Sequence, residues 1–129
     1  MTYRPGQDLP PFIVECVDTE AMKHWAIFLA DPNQIHLDVE AVKAKGLGDR
    51  VINQGPINVA FMMNFLLRAI PGGRIEKMTS RFLDNVYGGE RVVATGRVEE
   101  VVGRRLVCSV SLQSEDRGIV NAAEATVVI

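Results

Sequence analysis

The stretch Gln54-Gly-Pro-Ile-Asn-Val-Ala-Phe-Met-Met-Asn-Phe-Leu-Leu-Arg-Ala-Ile-Pro71 decides how the chain folds. Pro56 suits the first position of a helix, and Pro71 followed by Gly72 and Gly73 stops one. Between these signals only Asn58, Asn64 and Arg68 are polar, so the helix is apolar almost all round. A helix of about 14 residues is roughly 21 Å long. With no wide polar face it must be buried on nearly every side, as a sheet wrapped around it would do.

The flanking segments supply that sheet. On the N-terminal side, residues 12–17 are rich in β-branched residues and read as a first strand. Asp18 or Thr19 then caps a helix over residues 19–30, in which Met22, Trp25, Ala26 and Leu29 recur at helical spacing. That helix ends at Asp31-Pro32, because proline disfavours helical geometry in the residue before it. A short helix over residues 39–45 follows, capped by Asp38 and stopped by Gly46.

Everything after Gly73 reads as strand. Residues 91–98 place Val92, Ala94, Gly96 and Val98 on one face, and Leu106, Cys108, Val110 and Leu112 form a second inner row. Turns are expected at Gly103-Arg104 and over residues 115–118, and a last strand over 119–129 completes an antiparallel meander. Gly96, Ala123 and Ala125 are small, as they must be where a bulky helix lies against a sheet. Residues 74–86 alternate less cleanly, which predicts a bulge. One strand, a helical excursion, one apolar helix and four antiparallel strands make an α+β hotdog fold, with about five strands around a central helix and a single domain over residues 1–129.

Composition narrows the function. With 129 residues, 47% hydrophobic and 23% charged, and a net charge of −2, the chain has no basic footprint for nucleic acid. No signal-peptide core and no membrane span is apparent, so a cytoplasmic protein is expected. Cys16 and Cys108 are far apart and form no C-x-x-C pair; they read as two reduced, mostly buried thiols, with a catalytic cysteine the lesser reading.

The chemistry concentrates in Asp31-Pro-Asn-Gln-Ile-His-Leu-Asp38, which gathers two carboxylates, an imidazole and an amide into a loop. A carboxylate and an imidazole can hold one water between them, one accepting its proton and the other sharing or returning it. The same residues also suit plain turn formation, with Asp31 and Asn33 as turn formers and His36 partly buried. A metal site from Asp31, His36 and Asp38 has no familiar ligand spacing, so no metal and no cofactor is expected. His24 reads as a polar position on the first helix. At the start of the apolar helix, Asn53-Gln-Gly-Pro56 offers unpaired N–H groups and the positive end of a helix dipole, either as a simple turn or as a site for a negatively charged oxygen. Gly55 would let a carbonyl approach the backbone closely.

These residues resemble the MaoC-like dehydratases, the hotdog family that includes the (R)-specific enoyl-CoA hydratases. The likeness runs from Gly6-Gln-Asp-Leu-Pro10 through Asp31-x-Asn33-x-x-His36-x-Asp38 and the Gly46 turn to Gly55. The family pattern is Asp-x-Asn-Pro-x-His, followed some twenty residues later by His-Gly at the helix start. The resemblance implies that Asp31 and His36 bind the water that adds to C3 of a trans-2-enoyl thioester, that the Gly55 N–H binds the thioester oxygen, and that Asn33 braces the loop. It also implies a dimer whose sheets join edge to edge. Gln34 stands where the family has proline, Gln54 where it has the histidine before glycine, and Met63 about where hydratases of short substrates have a small polar residue.

Three functions are therefore weighed. The first is an enzyme interconverting trans-2-enoyl-CoA and (R)-3-hydroxyacyl-CoA, with an acyl-CoA thioester as substrate and Gly55, Asn33 and Gln54 at its binding end. The second is a hotdog thioesterase. The third is a non-catalytic or heteromeric subunit that binds acyl thioesters. A homodimer or higher oligomer is expected because an open sheet leaves edges with unpaired backbone groups, and a heteromer would serve the same need.

Overall fold

The computed structural model describes residues 2–129. In chain order it contains β1 (Phe12–Val14), α1 (Thr19–Phe28), a short 3-10 turn (Gln34–His36), α2 (Val39–Ala44), α3 (Gly55–Ala69), β2 (Arg74–Phe82), β3 (Val92–Val102), β4 (Arg105–Ser114) and β5 (Gly118–Val128). The five strands form one antiparallel sheet in the order β1-β3-β4-β5-β2. The expected hotdog arrangement is present, with one difference in path. Only β3, β4 and β5 form a meander, while β2 crosses to the far edge and pairs with β5.

α3 spans 15 residues and lies against the inner face of this sheet. Met62, Phe65 and Leu66 are fully buried, and with Val92, Val98, Leu106, Leu112 and Val127 they form the centre of the core. Burying each large side chain of this kind is worth about 1.5–3 kcal/mol. Close approach explains Gly96: a Cβ there would collide with the Ser109 carbonyl and stand 2.9 Å from the Phe65 ring.

The apolar sequence predicts a helix covered on nearly every side, and the structure covers it less than that. The sheet curls around one side only, and Met63 and Leu67 remain 39% and 44% exposed. The expected bulge in β2 occurs as a register shift between Ile75 and Lys77. A second shift, between Val98 and Glu100, lets β3 continue to Val102, beyond the expected end at Val98. β1 is shorter than expected, ending at Val14, and α1 stops at Phe28 before Ala30 turns into the left-handed region with φ of 50°. No helix among the described residues is long and apolar enough to cross a membrane.

The two thiols differ. Cys16 is exposed, contrary to expectation, because β1 ends before it and leaves it in a bend. Cys108 lies on the inner face of β4, where burial, helped by the Glu99 charge, pushes its thiol up to about 11. Thiolate is the reactive form. A disulfide reagent at neutral pH should therefore titrate one thiol per native chain, and the second only after unfolding. Two fast thiols in the native protein would contradict this placement.

Candidate active site

α1 carries Asp31 at its end. The Asp31 N–H donates to the Ala26 carbonyl at 2.9 Å and the Ala30 N–H to the Ile27 carbonyl at 3.1 Å, which closes the helix end across the left-handed Ala30. The two oxygens of its carboxylate then do different things. Oδ1 accepts the Asn33 N–H at 3.1 Å, which fixes the loop locally, and Oδ2 lies 3.2 Å from His36 Nε2. Asn33 caps the following turn through Oδ1, which accepts the Ile35 N–H at 3.3 Å. Gln34 donates through Nε2 to the Pro32 carbonyl at 3.3 Å, tying the loop together with a side-chain amide.

His36 is buried, and its ring is oriented from behind. Nδ1 lies 2.6 Å from the Ile52 carbonyl, which can only accept, so Nδ1 carries the proton and Nε2 is the nitrogen turned toward Asp31. A neutral imidazole presents a lone pair at Nε2, and an ionised carboxylate presents only lone pairs. A hydrogen bond across this gap therefore needs one more proton, held by the pair jointly. Such a unit can take a proton at one atom and return one from another. Asp38 stands apart: its Oδ1 accepts the Glu40 N–H at 2.9 Å and caps α2. Among the described residues no three His, Cys, Asp or Glu side chains converge as metal ligands would. His24 is exposed on α1.

The backbone that holds the imidazole leads directly to α3. Ile52 donates its N–H to the Ile35 carbonyl at 2.9 Å while its own carbonyl holds His36, so residue 52 clamps the loop from both sides. Three residues further on lies Gly55, a path that spans no more than about 11 Å at full extension. At the tip of α3, Pro56 has no N–H, the Ile57 and Asn58 N–H groups turn back to the Gln54 carbonyl, and no side chain caps the end. That leaves the Gly55 N–H at the positive end of the helix. A Cβ on Gly55 would stand 3.0 Å from Cε1 of Phe82, whose ring is otherwise 57% exposed.

Gln54 faces inward. Its side chain is fully buried, Nε2 donates to the Met22 carbonyl at 2.8 Å, and it links α3 to α1; Oε1 has no partner among the described residues. Asn53 and Asn58 form a buried amide pair beside it at 2.8 Å. Sequence reasoning missed three features: the Ile52 carbonyl behind His36, the Phe82 ring on Gly55, and a charged cluster under residues 84–90. In that cluster Glu90 is buried with Arg117 at 2.6 Å and Ser114 Oγ at 2.6 Å. Burial alone would raise the Glu90 carboxyl, but the bonds from Ser114, the Tyr87 N–H and Arg117 outweigh it and hold the carboxyl below its usual range. Locally the cluster shows only as turns, Gly88-Gly89 before Glu90 and residues 115–118 around Arg117.

No family model matches the chain, and no curated protein does. Solved structures do match. The (R)-hydratase from A. caviae involved in PHA biosynthesis superposes with a TM-score of 0.90 at 17% identity, over 99% of this chain and 98% of that one. A chain of the ChsH1–ChsH2 complex from Mycobacterium tuberculosis gives 0.87 at 16%, over 99% of both chains. The R-hydratase PhaJ1 from Pseudomonas aeruginosa gives 0.84 at 19%, over 97% of this chain and 81% of that one. At these identities the likeness establishes the hotdog fold.

Proposed function

We propose that the chain is a MaoC-like hydratase/dehydratase, adding water to a trans-2-enoyl-CoA thioester to give the (R)-3-hydroxyacyl thioester, or removing it. One observation carries this reading: His36 Nε2 and Asp31 Oδ2 face each other at 3.2 Å, and the far atom of each group is anchored to backbone. The pair holds the attacking water. It takes a proton as the water oxygen bonds to C3 and returns one to C2. Charge that builds on the thioester oxygen is met by the Gly55 N–H at the end of α3. The names of two structural neighbours, both (R)-hydratases, support the same reaction class.

A heteromeric role has one observation in its favour. Met63 and Leu67 leave an apolar stripe on α3, and β1 and β2 leave two sheet edges open. Assembly with a second hotdog chain, the same or different, would cover them, and one neighbour is itself a two-component complex.

The reaction is tested by offering a panel of trans-2-enoyl-CoA esters of increasing acyl length and following enoyl absorbance together with free thiol. Loss of enoyl absorbance without thiol release is the expected result. Thiol release at the same rate would indicate a thioesterase, and no change with any ester would favour the binding subunit.

A further inference from the structure

We propose that Arg117 is a positioning residue for this site, locking the residue 84–90 loop from which the backbone around Asp31, His36 and Gly55 hangs. The proposal rests on the hydratase reading for its rate predictions, but its geometry does not. One guanidinium makes four contacts, all to that loop. Nη1 donates to Asp84 Oδ2 at 2.7 Å, Nη2 to the Asn85 carbonyl and to Glu90 Oε1, both at 2.6 Å, and the group lies over the Tyr87 ring at 4.8 Å from its centre. Glu90 in turn accepts the Tyr87 N–H at 2.7 Å, so the loop is closed on itself around the ion pair.

From the outer side of this loop the site is suspended by backbone bonds. The Val86 carbonyl accepts the Asn53 N–H at 2.7 Å, and the Gly88 N–H donates to the Val51 carbonyl at 2.8 Å, so Ile52 is held between them with its carbonyl on the imidazole. The Gly89 N–H donates to the Val17 carbonyl at 2.8 Å and the Val17 N–H to the Glu90 carbonyl at 2.9 Å. Val17 stands just before α1, and Asp31 follows three residues after the far end of that helix. Tyr87 also reaches the Leu47 carbonyl through its hydroxyl at 2.9 Å. All the segments that set the Asp31 to His36 gap and the start of α3 are thus referenced to one loop.

An ion pair buried on the Glu90 side and part-exposed on the Arg117 side is a weak device for stability alone, since apolar groups of similar volume often replace buried pairs without loss. Its forked geometry is better suited to fixing a backbone path. Misplacing a catalytic group by about 1 Å can cost on the order of a hundredfold in rate. Loosening this loop should therefore lower kcat and leave KM nearly unchanged.

The test uses the full chain with nitrogen-labelled histidine, as Arg117→Met and Arg117→Lys. His24 is exposed, so the protected ring proton belongs to His36 Nδ1 bonded to Ile52. In Arg117→Met that proton is expected to lose protection and kcat to fall by about 10- to 100-fold. Arg117→Lys, which keeps a charge beside Glu90 but not the fork, should recover part of both. Adding Arg117→Met to His36→Ala should cost less than Arg117→Met costs the wild-type protein, because the share exerted through the imidazole is already gone. If Arg117→Met does not fold, Arg117→Lys is read alone, and loss of ring protection in it supports the proposal. Wild-type protection and kcat in a folded variant, or a full additional loss on top of His36→Ala, would overturn it. Should no ester be hydrated by any form, the ring proton alone decides, and the failure belongs to the reaction and not to the positioning.

Discussion

Asp31→Asn and His36→Ala are each expected to lower hydration of the best enoyl thioester by roughly a hundred- to ten-thousand-fold, the usual range for a positioned acid or base. The combined variant should be scarcely slower than either one. The reason is geometric: Oδ2 and Nε2 face each other at 3.2 Å, and in the proposed reaction they share one water, so removing either would disable the unit. Residues that act together give such non-additive losses. Steady-state rates for the two single variants and the double variant measure this directly. Additive losses would mean that the two groups serve different steps. Asp38→Asn is the control, because Oδ1 of Asp38 caps α2 and faces no part of the pair. It should cost some stability and little rate, with a typical cap worth about 1 kcal/mol.

Gly55→Val is expected to reduce turnover by about a hundred- to a thousand-fold, the usual cost of losing one well-aimed oxyanion donor. Gly55 is not in the left-handed region, so backbone strain is not the cause. The added side chain would instead press on the Phe82 ring, 3.0 Å from the first carbon, and fill the approach to the helix tip. Because that ring is largely exposed, it can move, and the variant should still fold. The smaller change Gly55→Ala separates the two effects. If its penalty comes from contact with Phe82, then adding Phe82→Ala restores part of the rate; if the penalty persists, the methyl itself blocks the donor. A folded Gly55→Val protein with full activity would remove the oxyanion role.

The parts of this fold that were legible in the sequence are those set by local chemistry. α3 was apparent from its apolar run between Pro56 and the Pro71 turn, and the capping aspartates Asp18 and Asp38 act on N–H groups two or three residues away. The inner rows of β3 and β4 followed from strict alternation, and each of Val92, Ala94, Val98, Leu106, Cys108 and Leu112 is fully buried. What stayed hidden is nonlocal. Nothing near residues 74–82 says that they pair with β5 across the sheet, or that a bulge at Val98 carries β3 four residues further.

The same division holds at the site. Asp31, Asn33 and His36 lie in one short loop, so their grouping could be read directly. The carbonyl that orients the imidazole comes from Ile52, 16 residues away, and a buried apolar residue gives no hint that its backbone oxygen holds a ring. Glu90 and Arg117 are 27 residues apart, and each looks like an ordinary turn residue on its own. Gln54 read as a substrate-side group from its place before Gly55, whereas its side chain turns inward to the Met22 carbonyl.

In the proposed reaction this chain adds water to carbon. The most direct measurement follows the fate of the water oxygen, by incubating the protein with its best trans-2-enoyl-CoA ester in water labelled with heavy oxygen and analysing the products by mass and configuration. The expected product is an intact thioester that carries one labelled oxygen as an (R)-3-hydroxyl group. Label found instead in a free carboxylic acid, with coenzyme A released and the double bond retained, would contradict it.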